Sequence, residues 1–160
     1  MSESVEVFLS HSSKDLMLAE AVVELLTSSI DLLGVVRCTS AFGYSLDIGT
    51  GVARKLRKEI DECDVFLTLI SVNSLSSQFC LFEMGAAWGL KKKIKPILAP
   101  NFDTSHLKPP LSDLNCLKWT SQDNWTSLIK DVAKLTSSER KKSRIVSTAV
   151  MKFCARSFSS

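Results

Sequence analysis

The sequence predicts an α/β protein with a parallel sheet of five strands covered by helices on both faces. Two observations carry this reading. From Val5 onward, short apolar runs alternate with stretches of helical apolar spacing, and that alternation is the mark of a parallel sheet wrapped by crossover helices. The run Asp64-Val65-Phe66-Leu67-Thr68-Leu69-Ile70-Ser71 is apolar on both of its faces, as a central parallel strand must be.

The elements follow in order. Val5 to Ser10 reads as a buried strand that ends in the polar loop His11-Ser12-Ser13-Lys14-Asp15. Residues 15–33 carry Leu18, Val22, Leu25 and Leu26 at helical spacing, and Gly34 fits the stop of that helix. Val35 to Cys38 is a short strand, and a loop with glycines at 43 and 49 runs from Thr39 to Thr50. Val52, Leu56 and Ile60 mark a helix with a charged outer face. After the Asp64–Ser71 strand, residues 75–90 read as a helix, with Lys91-Lys92-Lys93 placed to meet its negative pole. Ile94 to Leu98 is a fourth strand. Its Pro96 removes a ladder donor and favours a place near the sheet edge. A loop with three prolines covers residues 99–113, Asn115 to Trp119 is a short fifth strand, and residues 122–136 are a last helix. Right-handed crossovers then give a flavodoxin-like three-layer sandwich. Residues 1–137 are expected as one domain, and 138–160 as a basic appendage with one short helix near 145–155.

Composition narrows the class. Contents of 45% apolar and 23% charged residues are those of a globular chain with a core. The opening residues Met1-Ser2-Glu3-Ser4 lack a basic region, and no run reaches about 18 uninterrupted apolar residues, so neither a signal peptide nor a membrane span is expected. The five cysteines are widely spaced, with no C-x-x-C pair and no Cys/His cluster. Reduced thiols in a cytoplasmic protein are therefore expected, without a structural metal. Charge is uneven: residues 1–137 hold 14 Lys/Arg against 16 Asp/Glu, whereas 138–160 hold 6 against 1. Such a tail can meet nucleic acid, acidic lipid or an acidic partner. The favoured reading is a solvated tail, with no membrane partner and with nucleic acid disfavoured.

Chemistry concentrates in one segment. Of the 26 residues between Asp64 and Lys91, only Glu83 is charged. A carboxylate buried in such a surround costs several kcal/mol unless it is paired, and proteins accept that cost most readily where the carboxylate does chemistry. The competing readings are that Glu83 points to solvent or pairs with a base elsewhere. In a doubly wound sheet, ligands bind beyond the carboxyl ends of the strands. The loops at 10–15, 39–50 and 71–77 are rich in Ser, Thr and Gly, which offer hydroxyls and backbone N–H groups to polar ligands. Other chemistries lack their motifs. There is no G-x-G-x-x-G after a strand, no Walker loop and no G-x-S-x-G elbow. Cys80 has no histidine near it in sequence and reads as a packing group rather than a nucleophile.

Two stretches resemble the Toll/interleukin-1 receptor (TIR) domain family. Val7-Phe8-Leu9-Ser10-His11-Ser12-Ser13-Lys14-Asp15 is similar to its first box, above all in bacterial members. Ser71 to Glu83, with Phe79-Cys80-Leu81-Phe82-Glu83 at its end, resembles the serine-rich loop and aromatic-Cys-x-x-Glu helix of the family. The 39–50 loop takes the place of the BB loop, which serves assembly and gating in the family.

The resemblance implies cleavage of the nicotinamide–ribose bond of NAD, by hydrolysis, cyclisation or transfer of ADP-ribose to make a signalling nucleotide in antiphage or immune defence. It makes Glu83 the catalytic residue. A carboxylate suits this chemistry, because it stabilises an oxocarbenium-like ribosyl centre and can hold ribose hydroxyls. Ser10, His11, Ser12, Thr39, Phe42 and Phe79 are the expected substrate-binding residues. Phe79 stands where the family usually has Trp, so it keeps a stacking surface but not the indole N–H; its alternative is a plain core aromatic. Phe42 and Tyr44 are expected to close over adenine, to contact a neighbouring protomer, or merely to anchor their loop. NAD is a substrate here and no cofactor is expected. The implied partners are other copies, through TIR–TIR contacts, and a separately encoded effector that senses the product. The rival reading is a non-enzymatic TIR scaffold. A receiver-like domain is weaker, since no acidic cluster follows the first strand.

Overall fold

The computed structural model describes residues 5–31, 35–38 and 50–158. Its main sheet contains β1 (Val5–Ser10), β3 (Val35–Cys38), β4 (Val65–Ile70), β5 (Ile94–Leu98) and β6 (Leu117–Lys118), all parallel, in the order β3-β1-β4-β5-β6. Counted within this sheet alone, that is the 2-1-3-4-5 order of flavodoxin-like folds, whose switch point lies between the first and third strands. The predicted architecture holds, with a fifth strand of only two residues. Pro96 pairs with Thr68 on β4, while the ladder to edge strand β6 begins one residue later, at Ile97. The missing donor therefore falls where no neighbour needs it.

The strands sort their side chains by alternation. Val7, Leu9, Val65, Leu67 and Leu69 join the core beneath α1 (Leu16–Ser29) and α5 (Gln122–Leu135). Phe8, Phe66 and Ile70 join the core beneath α2 (Thr50–Glu62) and α4 (Gln78–Gly89). Phe8 and Phe66 stack with centroids 5.3 Å apart. That places Ser10 and Thr68, two residues further along each strand and paired in register, on the α2/α4 side, with Ser10 at the carboxyl end of β1.

Several boundaries differ from the sequence reading. The first helix stops at Ser29, because Ile30 turns extended and pairs with Arg140 in a two-stranded antiparallel sheet of β2 (Ile30–Asp31) and β7 (Glu139–Arg140). Gly34 lies outside the described residues. The helix expected over 75–90 is split into α3 (Val72–Leu75) and α4. Ser71 and Ser74 form a reciprocal capping box on α3, and the Ser77 hydroxyl accepts from the Cys80 N–H to start α4. Lys92, expected at the end of α4, reaches back to the carbonyls of Asp61 and Cys63, where it meets the negative end of α2.

The larger correction concerns the basic appendage. Helix α6 (Ser143–Ala155) is 13 residues long and buries Val146, Val150 and Phe153 in the same core as α1 and α5. Phe153 packs on Trp119 at 4.9 Å and on Trp125 at 4.5 Å. Its apolar residues recur at helical spacing and have an apolar seat to fill, so the segment is built into the fold and its charges face outward.

Candidate active site

The switch point gathers polar groups from three segments. Ser10, the last residue of β1, is 1% exposed. Its hydroxyl donates to Glu83 Oε2 at 2.5 Å. Glu83 projects from the second turn of α4 and is itself fully buried. Of the competing readings, a carboxylate turned to solvent is therefore excluded. A hydroxyl–carboxylate bond of this kind is worth about 1.5–3 kcal/mol when buried, so it fixes the carboxylate relative to the sheet. Next to Ser10 in register is Thr68, whose buried hydroxyl has no hydrogen-bond partner among the described residues.

His11 is also buried. Its Nδ1 lies 3.3 Å from the Leu9 carbonyl, and Nε2 has no partner among the described residues. Burial lowers its pKa from the ordinary imidazole value, against smaller opposing effects of the Leu9 carbonyl and of Asp15. His11 is therefore a neutral ring at neutral pH, suited to hydrogen bonding rather than to holding a phosphate by charge. Ser12 is nearly buried, and its hydroxyl caps the 3₁₀ turn Ser13–Asp15 by accepting from the Lys14 N–H at 3.3 Å.

Asp15 has a role that the sequence reading does not assign. It is 7% exposed and accepts from Ser71 Oγ at 2.5 Å and from Asn73 Nδ2 at 2.7 Å. One buried carboxylate thus ties the loop after β1 to the loop after β4, across the switch point. The signal in the sequence was an acid set among hydroxyl residues just past a strand's carboxyl end, but its partners lie 56 and 58 positions away.

Of the other expected site residues, Phe79 is the one that falls among the described residues. Phe79 is 39% exposed, one turn before Glu83, and belongs to neither core cluster. A plain core aromatic is therefore the wrong description of it. Thr39, Phe42 and Tyr44 lie outside the described residues. Cys80 is buried, and that burial pushes its thiol pKa up, as expected of a packing group. Among the described residues no cluster of His, Cys, Asp or Glu could hold a metal ion, and no helix is long and apolar enough to cross a membrane.

The arrangement is a buried carboxylate held by a serine, a neutral imidazole and two hydroxyl-rich loops locked together by a second carboxylate. It can offer hydrogen bonds to sugar hydroxyls and one negative charge to a developing cation.

Comparison with known proteins agrees with the topology. A family model described as the TIR domain matches residues 7–133. A curated relative, the uncharacterised protein YddK of Bacillus subtilis (strain 168), is 29% identical over 126 residues, covering 69% of this chain and 46% of YddK. The chain thus spans about half the length of that relative. Among solved structures, the TIR domain of the Toll-related receptor TRR-2 from Hydra magnipapillata is similar with a TM-score of 0.54 at 14% identity, over 78% of this chain and 96% of that one. The CMP N-glycosidase BcmB of Clostridium botulinum shows a TM-score of 0.48 at 16% identity, over 78% of this chain and 98% of its own. With the family model covering most of the chain, from β1 through most of α5, this protein belongs to the TIR domain family.

Proposed function

We propose that this TIR domain is an enzyme that cleaves the nicotinamide–ribose bond of NAD, with Glu83 as the catalytic carboxylate. The observation that carries the reading is the placement of Glu83: fully buried, held by Ser10, at the switch point of a doubly wound sheet. The bond to C1′ of the ribose breaks, and its electron pair returns to the pyridinium nitrogen, so nicotinamide leaves neutral. Glu83 faces the positive charge left on the ribosyl centre, and electrostatic stabilisation of that charge is the main term in such reactions. Water, or a group of the same molecule, then completes hydrolysis, cyclisation or transfer. Ser10, His11 and Ser12 bind ribose or phosphate through hydroxyls and N–H groups, and Phe79 offers the nicotinamide a stacking surface. Thr39 and Phe42 complete this substrate-binding set from the 39–50 loop.

Because Glu83 is fully covered in the single chain, substrate access requires the site to open. We assign that opening to TIR–TIR assembly. Its product is proposed to be a nucleotide signal in defence, read by a separately encoded effector. Cys63, Cys80, Cys116 and Cys154 are free, which suits a reducing cytoplasm.

A second reading is a scaffold without turnover. It is favoured by the uncharged outer face of α4, where Phe82 is 57% and Trp88 71% exposed, since exposed apolar patches mark interaction surfaces. Incubation with NAD separates the two readings. The enzyme releases nicotinamide and loses that activity on Glu83→Gln, whereas the scaffold releases none and assembles regardless of Glu83.

A further inference from the structure

The catalytic reading leaves the opposite face of the sheet unused. There α1 and α6 enclose an open groove of about 640 Å³. Its floor is apolar and comes from both helices: Ala21 and Leu25 of α1, Ala149 and Phe153 of α6. Its rim is not. Arg144, Thr148, Lys152 and Arg156 follow one another at intervals of four, so they run as a stripe of donors along one side of α6. Ile145, half exposed, stands beside them. No acid occurs from Lys141 to Ser160 to balance this stripe. Glu24, the one acid in the groove, is engaged by Arg156 at 2.9 Å. Arg144 and Lys152 have no ion-pair partner among the described residues. The groove also lies largely beyond residues 7–133, where the family model matches.

An apolar trough beside a row of cations is the complement of one kind of segment, an amphipathic helix with apolar anchors at i, i+3/i+4 and i+7 and carboxylates along the flank. We infer that the α1/α6 groove docks an acidic amphipathic helix of a partner polypeptide. A flat lipid surface fits poorly, because the floor residues Ala21, Leu25 and Phe153 are buried below the charged rim and only Ile145 of the lining's large apolar residues protrudes. Nor do this chain's described helices supply the occupant. Two are net-acidic: α1 already buries its apolar stripe of Ala21, Val22, Leu25 and Leu26, and the single acid of α4, Glu83, is fully buried. The inference is independent of the reaction at Glu83.

The test uses the full chain and a fluorescein-labelled synthetic peptide of about 14 residues, matching the roughly 20 Å length of α6. The peptide carries Leu at helical anchor spacing and Glu elsewhere, and its scrambled isomer serves as control. Fluorescence anisotropy is expected to show binding of the patterned peptide that weakens with salt. The double change Arg144→Glu and Lys152→Glu is expected to weaken it about tenfold or more, equal to about 1.4 kcal/mol. The pair Arg54→Glu and Lys58→Glu on α2 is expected to change it less than about twofold. Thermal melting checks that each variant remains folded, and nicotinamide release is expected to stay at the wild-type level in the α6 variant. Equal binding of the scrambled peptide, indifference to the α6 charges, or capture of phosphatidylserine vesicles in place of the peptide would each overturn the inference. Concentration-dependent self-association abolished by the α6 charge reversal would overturn it in favour of a second copy.

Discussion

Ser10 and Glu83 are 73 positions apart in sequence and 2.5 Å apart in space, where the Ser10 hydroxyl donates to the Glu83 carboxylate. This bond joins the end of β1 to the second turn of α4. It makes Ser10 a positioning group for Glu83 as well as a candidate substrate ligand. Ser10→Ala should leave the fold intact and lower nicotinamide release by about tenfold to a hundredfold, the kinetic equivalent of about 1.4–3 kcal/mol. Steady-state kinetics check this. A loss confined to KM would show that Ser10 binds substrate without orienting the carboxylate.

Asp15 locks the two polar loops together through Ser71 and Asn73. Asp15→Asn puts an amide N–H₂ where one of those donors must be accepted. The expected cost is about 1–3 kcal/mol of stability, read from urea unfolding, with activity falling as the loops separate. Ser71→Ala removes one of the two donors to Asp15 together with the N-cap of α3, and its cost should be comparable.

His11 predicts a pH dependence. Burial lowers its folded-state pKa below the ordinary 6.5, so the unfolded chain takes up a proton more readily than the folded one. Stability is unaffected by this group above about pH 6.5 and is lost as pH falls from there toward the depressed folded-state value. His11→Gln should flatten that part of the curve, measured as melting temperature between about pH 5 and 7. An unchanged slope would show that other groups carry it.

Phe153 tests whether α6 belongs to the fold. It is 4% exposed and packs on both Trp119 and Trp125. Phe153→Ala should destabilise the chain by about 3–5 kcal/mol, seen by chemical denaturation. A loss below about 1 kcal/mol would restore the reading of a solvated appendage.

Much of this was legible in the residues, for reasons of reach. The five parallel strands show themselves through runs such as Val65–Ile70, whose burial on both faces is written in six consecutive residues. Glu83 was legible because one charge in 26 residues has few innocuous explanations. The basic segment was misread because its charges dominate the composition, while Val146, Val150 and Phe153 show their purpose only against Trp119 and Trp125. The β2–β7 pairing offers two residues a side and leaves no periodic trace. Asp15 resembles a loop acid until Ser71 is brought to it. Cys63 shows the same limit: nothing local marks it, yet burial pushes its thiol pKa up to about 11.

The most direct test of the account is nicotinamide release from NAD, followed by chromatography over a dilution series of the wild-type protein and of Glu83→Gln. The account predicts release that rises more than linearly with protein concentration, as expected of a site opened by assembly, and none from the variant at any concentration. Equal release from both proteins would contradict the role of Glu83. No release from either, in concentrated and demonstrably folded protein, would contradict the enzyme and leave the scaffold.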